Sequence, residues 1–161
     1  MNTKLIMGII ASVLILGFAY YAISPLFITI KANDALPTQV HSANVPQTPQ
    51  APAGAPQVQK DTAASVVGTT GHPASGTARI VVADGKSYIR YENFKTINGP
   101  DIYVYLSKDL EAKEYISLGK VKATEGNINY EIPSNVNPKD YKYVLTWCKT
   151  FGVLFNSAQI F

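Results

Sequence analysis

From Leu5 to Ile30 the chain carries no charge, LIMGIIASVLILGFAYYAISPLFITI. A bilayer core offers no water to backbone N–H and C=O groups, so such a run is stable there only as a helix. About 20 apolar residues suffice to span, and this stretch exceeds that even with a break at Pro25. Tyr20 and Tyr21 fall where amphipathic rings gather at a membrane interface. Lys4 and the α-amino group precede the run, favouring an N-in, C-out orientation, while Lys31 beyond it weakens that asymmetry. The run is longer than the hydrophobic region of a cleaved signal peptide, and no small-x-small cleavage site follows closely after Tyr21. Residues 1–31 therefore read as an uncleaved signal-anchor, single-pass in the cell membrane, with the C-terminal part outside the cytoplasm. No cysteine follows the run, which excludes lipid attachment at a lipobox.

Residues 32–75 have a different composition. Pro, Ala, Gln, Ser, Thr and Gly dominate, with few charges and almost no aromatic residues. Such a segment cannot bury enough apolar surface to offset the entropy of ordering it. It reads as a disordered linker, a tether with a root-mean-square reach of roughly 35–40 Å as a coil. The only histidines, His41 and His72, fall within it.

Residues 76–161 form one domain whose pattern is β throughout. Thr77–Ala83 and Lys86–Glu92 flank Asp84-Gly85, a two-residue hairpin signal. Asp101–Ser107 alternates, with Ile102, Val104 and Leu106 on one face and Tyr103 and Tyr105 on the other. Asn127–Pro133 alternates as well, with Ile128, Tyr130 and Ile132 on one face. Tyr141–Cys148, Val153–Phe155 and a short final strand complete the set. Lys108–Tyr115 is too short and polar for more than a turn of helix or a loop. The fold class is all-β, a small antiparallel β-sandwich, with a small β-barrel as the alternative.

Charges are interspersed and no basic patch exists, so nucleic acid is not an expected partner. Cys148 is the only cysteine and follows the only tryptophan, Trp147. A blue-copper centre needs two histidines and a cysteine, usually with an axial methionine. The methionines, Met1 and Met7, lie in the anchor. No metal or cofactor is expected, and there is no Cys-x-x-Cys-His haem attachment. Serine–histidine–aspartate sets, paired carboxylates and phosphate loops are absent, leaving hydrolase and transferase readings unsupported. Asp101, after Gly99-Pro100, has the chemistry of a turn organiser. Tyr103 and Tyr105, joined by Tyr88, offer an aromatic patch suited to protein or sugar contact.

Strand parity groups Tyr141, Tyr143, Leu145 and Trp147 as the core face of the penultimate strand. Lys142, Val144, Thr146 and Cys148 then share a mixed face. A thiol there, beside Lys149 and near the turn at Gly152, is partly exposed and open to redox chemistry. The opposing reading is a small packed residue, since free cysteine is among the most buried residue types. An odd cysteine also raises an interchain disulfide.

The blocks YENF (Tyr91–Phe94), NGPDIYVYLS (Asn98–Ser107), SLGKVKATEGNINYEIP (Ser117–Pro133) and YKYVLTWCKTFGVLFNSAQI (Tyr141–Ile160) follow one another in order. Together they resemble the DM-thirteen domain found beside DOMON domains in Skeletor-type proteins. The motif positions are Gly99, Pro100, Asp101, Tyr103, Leu118, Gly119, Trp147, Cys148 and Phe151. The resemblance implies an extracytoplasmic all-β domain whose cysteine, here Cys148, takes part in electron transfer. Two readings follow: a membrane-tethered redox accessory domain working through Cys148 with an exported redox partner, and a non-catalytic protein- or sugar-binding surface module with a structural cysteine.

Overall fold

The structure, a computed structural model, describes residues 2–37 and 63–161. The greater part of the expected disordered linker, residues 38–62, lies outside the described residues, as does His41. Helix α1 (Thr3–Ile23) begins at Asn2, whose side chain accepts from Lys4 N, and passes into a 3-10 turn, Ser24–Phe27, with Pro25 in its first turn. It is long and apolar enough to cross a membrane, and none of its residues is buried in the protein.

The strands are β1 (Lys31–Asn33), β2 (Ala64–Ser65), β3 (Val67–Gly68), β4 (Ala74–Ala83) and β5 (Lys86–Thr96). Then come β6 (Ile102–Ser107), β7 (Tyr115–Lys120), β8 (Glu125–Ile132), β9 (Tyr143–Cys148) and β10 (Val153–Gln159). They form two five-stranded sheets, ordered β1-β8-β5-β4-β2 and β3-β10-β9-β6-β7. The fold is a sandwich, antiparallel except where β1 pairs parallel to β8, and the described residues do not close into a barrel. The β4–β5 hairpin turns at Asp84 and Gly85 with φ of 50° and 72°, the positive pair that a two-residue turn of matching twist requires.

The interior is filled asymmetrically. β5 and β8 supply large rings, with Tyr91 and Phe94 4.4 Å apart and Tyr91 edge-on to Tyr130 at 6.0 Å between centroids. Burial pushes the Tyr91 phenol well above its ordinary pKa. The second sheet meets these rings with smaller residues. Ile102, Val104 and Leu106 on β6 lie in register with Cys148, Thr146 and Val144 on β9. This inverts the parity expected for β9: Val144, Thr146 and Cys148 face the interior between the sheets, while on the other face Tyr143 and Trp147 are half-buried and only Leu145 is buried, beside Tyr105. The rings of β5 and β8 leave no room for a second aromatic layer, so β9 turns its large side chains outward. Across the sheets, Asn156 Nδ2 donates to Thr96 Oγ1 at 2.9 Å, both residues being buried.

Two regions depart from the sequence reading. Ser117–Lys120 pairs with β6 as part of β7, preceded by a loop in which the Asp109 carboxylate accepts from the N–H groups of Glu111, Lys113 and Glu114. Those bonds, that of Lys113 foremost, hold the Asp109 pKa below its usual value. The second departure is order inside residues 32–75, the stretch assigned to the linker, since all of β1 but Lys31, together with β2, β3 and the start of β4, falls there.

β1 is the more consequential of these. Thr124 N and Glu125 N donate to Ile30 O at 2.7 and 3.0 Å, Ile30 N donates to Thr124 Oγ1, and Asp34 N donates to Asn127 O. The buried Arg90 reaches from β5 to the Asp34 carbonyl at 2.8 Å and to Asn129 Oδ1 at 3.0 Å. Its Nε lies 3.5 Å from Glu92 Oε1, an ion pair rather than a hydrogen bond. Gly126 makes the pairing possible. Its φ is +122°, and a Cβ there would run into the Ala32 carbonyl.

Gly126→Ala is therefore expected to destabilise the domain by about 2–3 kcal/mol through strain and loss of β1 pairing. Denaturant unfolding would give the loss, and hydrogen exchange should show Ala32 and Asn33 deprotected first. Glu92 accepts from Arg79 Nη2 and Nε, at 2.9 and 3.2 Å, and this pairing above all lowers its pKa. A lowered native pKa means stability present above the unfolded value of about 4.3 and lost as pH falls through the native value. Glu92→Gln should lower the melting temperature at pH 7 by roughly 4–8 °C, and the gap should narrow below about pH 4. A gap independent of pH would contradict this account.

Candidate functional site

The residues around the thiol come from five separate parts of the chain. Cys148 ends β9 and is 1% exposed, so the expected partly exposed thiol is not found. It packs with Ile102 and Phe155 in a small apolar group apart from the main core, against which Ile97, Val121 and Val153 rest. One wall of this group opens into a cavity of about 240 Å³. Cys148, Phe155 and Val153 line it from the domain, as do Pro100 and Phe151. Ala22 of α1 and Leu26 of the following turn line it from the other side. Phe151 is 43% exposed and meets Phe18 of α1 edge-on, with centroids 6.2 Å apart.

The Gly-Pro-Asp block and the Trp-Cys-x-x-Phe block, distant in sequence, converge here. Gly99 packs so tightly that a Cβ would lie 2.9 Å from the Phe155 ring and from Ile102 Cγ2. Pro100 supplies a wall. Asp101 fastens the β9–β10 hairpin: its carbonyl accepts from Lys149 N at 2.9 Å, and its Oδ2 accepts from the Thr150 hydroxyl at 3.0 Å. Lys120 Nζ stands 3.5 Å from the other carboxylate oxygen. These contacts are those of a turn organiser.

The sequence reading missed His72, which it placed in the tether. The chain Gly68-Thr69-Thr70-Gly71-His72 folds back on itself, with His72 N donating to Thr69 O and Gly71 at φ +81°. Gly68 has backbone of His72 and Ala74 where a Cβ would stand. The result stacks the imidazole on Phe155, centroids 4.1 Å apart, and brings His72 to the wall of the cavity that Cys148 lines. Thr69 Oγ1 donates its single proton to the Leu154 carbonyl at 2.8 Å, so it accepts from His72 Nδ1 at 3.1 Å. The network thus assigns the Nδ1–H tautomer and leaves Nε2 a free acceptor among the described hydrogen bonds. Two β-branched residues between glycines, VVGTTGHP, were the available signal for this turn.

The remaining motif residues lie elsewhere. Tyr103 and Trp147 are cross-strand neighbours on the outer face of the second sheet. Tyr105 follows Tyr103 at 6.2 Å and stacks on Tyr115 at 4.1 Å. Tyr88 lies on β5 in the other sheet and does not join this patch; Tyr115 takes that place. Lys120 and Lys149 stand over the Tyr103 ring at 5.8 and 5.4 Å. Burial foremost, and then Tyr115, raises the Tyr105 phenol to about 12. Leu118 packs toward the main core, and Gly119, at φ +108°, sits where β7 slips register against β6. Among the described residues no group of three or more His, Cys, Asp and Glu gathers to hold a metal ion.

In so apolar a setting a hydroxyl is worse than a methyl. Cys148→Ser should lose about 1–3 kcal/mol for an unpaired buried hydroxyl, and Cys148→Ala less. Thermal melts of both variants decide it, and serine above alanine would mean that the sulfur is solvated.

Neither the curated proteins nor the solved structures contain a match to this chain. A family model does match, described as Electron transfer DM13, over residues 66–160. That span begins at Val66, beside β3, and includes the His72 turn and both blocks that meet at the cavity. With most of its length matched, and with the motif blocks brought together by the fold, the chain belongs to the electron-transfer DM13 family.

Proposed function

We infer that this protein is a membrane-tethered, extracytoplasmic electron-transfer accessory whose redox group is the Cys148 thiol. One observation carries the reading: in a chain of an electron-transfer family, the single thiol lines a cavity together with a histidine. The burial of Cys148 disfavours direct thiol–disulfide exchange with another protein, which requires an accessible sulfur. A reactant small enough to enter the cavity suits the geometry better. One-electron oxidation sends an electron to that acceptor and the thiol proton to a base, leaving a sulfur radical; reduction reverses both transfers. His72 lines the same cavity, and its Nε2, with no partner among the described hydrogen bonds, is the group assigned to take that proton.

A route outward begins at the next residue. Trp147 is in register with Tyr103, and the rings of Tyr105 and the 42% exposed Tyr115 continue the row. The two ammonium groups over Tyr103 make that ring harder to oxidise than Tyr115, which biases an oxidising equivalent toward the exposed end. The same face also supports the second reading, a protein- or sugar-binding module, because the half-buried Tyr103 edged by lysines and the exposed Tyr115 suit such contacts.

The experiment uses the full chain in lipid vesicles with an alkyl-ferrocenium dye as one-electron acceptor. Electron flow to the dye should fall at least tenfold in Cys148→Ala with the β-sheet spectrum unchanged. Tyr115→Phe should slow exchange with a water-soluble oxidant only. An unaltered rate in Cys148→Ala would remove the thiol from the mechanism and leave the binding-module reading.

A further inference from the structure

We propose that the tip of the β9–β10 hairpin, at Phe151, is inserted in the lipid leaflet on the domain's side, so that the Cys148 cavity opens to the hydrocarbon and admits small apolar molecules dissolved there. The inference rests on the reading of α1 as a membrane anchor and adds to it the partner surface and the reactant class.

Depth follows from the helix. The 21 residues of α1 rise about 1.5 Å each, about 31 Å in all, which matches a hydrocarbon core of about 30 Å. Ile23 then marks the boundary, and Phe18 lies about 7–8 Å inside it. Phe151 touches Phe18 ring to ring, so its side chain is at a similar depth. Because the charge-free run extends to Ile30 and Leu26, Phe27, Ile28 and Ile30 are all exposed, any shift of the boundary toward Ile30 only deepens the hairpin.

The domain cannot lift away on a long tether, since β1 joins the sheet directly after the helix through Ile30, Thr124 and Glu125. The hairpin tip is also prepared for lipid. The Thr150 hydroxyl is donated to Asp101, Lys149 N is donated to the Asp101 carbonyl, and the Lys149 ammonium reaches back over Tyr103. A lysine that turns its charge away in this fashion lets the adjacent apolar residue enter the bilayer. What remains at the tip is an exposed phenylalanine beside Gly152. Directly behind it, the cavity is walled by Ala22 at the end of α1 and by Leu26 of the following turn, both apolar.

The test uses the full chain in vesicles, with vesicle flotation as a first check. Phe151→Trp in a Trp147→Phe background leaves one tryptophan, and lipids with brominated acyl chains report its depth. Phe18→Trp in the same background is the reference. Quenching at position 151 of at least half the reference value is expected; no quenching at 151 with full quenching at 18 overturns the insertion while leaving the anchor intact. A chain that does not float overturns both.

The unsubstituted chain gives a second measurement, because Cys148 is its only thiol. A bilayer-soluble alkyl maleimide should label it at least tenfold faster than a charged, membrane-impermeant maleimide. Equal rates, faster labelling by the charged reagent, or no labelling by either would overturn the opening to lipid.

Discussion

The parallel pairing of β1 with β8 is the constraint on which the rest of the structure depends. Three residues, Lys31 to Asn33, lie beside Glu125 to Asn127, and the bonds of Ile30 to Thr124 and Glu125 extend the pairing toward the helix. Between Ile23 and Lys31 the chain has a 3-10 turn and a few extended residues. At about 2 Å per 3-10 residue and about 3.3 Å per extended one, these bridge no more than about 20 Å. A 44-residue coil would instead have allowed roughly 35–40 Å and free reorientation. The pairing therefore sets how far the sandwich stands from α1 and which edge of it faces the helix. Residues 38–62 connect β1 to β2 and are not what separates the domain from the apolar segment.

Once the edge is fixed, packing within the sandwich determines where the thiol goes. The rings of Tyr91, Phe94 and Tyr130 fill the space between the sheets from one side, so the other sheet contributes Val104, Val144, Thr146 and Ala158. Interiors of near-crystalline density accept large against small and reject large against large. Cys148 is inside for that reason, and Trp147 is outside. The same constraint places the Tyr103, Tyr105 and Tyr115 row on the outer face.

Much of this was legible in the sequence where alternation was strict. β6 and β8 display their faces in the order of their residues, and Asp84-Gly85 announces its hairpin. The all-β class followed from such signals, and the apolar helix from the charge-free run before Lys31. The failures have one cause: they concern choices made between strands, not within one. β9 is apolar on both faces, so its own pattern did not say which face met Tyr91. β1 to β3 are two or three residues long, too short for any period to register, and β1 and β3 are held by partners far along the chain. His72 reached the cavity through such a pairing. Gly99, Pro100, Asp101, Cys148 and Phe151 were visible as motif positions, but only the fold shows that Pro100, Cys148 and Phe151 line one cavity, that Gly99 and Asp101 hold its walls through Phe155 and the hairpin, and that Tyr103 and Trp147 lie elsewhere.

Strand alternation gives that separation a functional consequence. Successive residues of a strand point to opposite faces, so Cys148 and Trp147 lie one peptide unit apart, about 3.8 Å between Cα atoms, on opposite sides of the same sheet. A structural cysteine could stand at any interior position of β9. At Thr146 or Val144 it would have faced the closed core, with no cavity and no neighbouring histidine. At position 148 it is the last interior residue before the turn, where the inner face meets the space beside α1 and the outer face meets the tyrosine row. On the proposed anchoring, the inner side belongs to reactants in the bilayer and the outer side to partners in water. A sulfur and an indole joined through one peptide unit are then the shortest covalent connection between those two phases that this sheet allows.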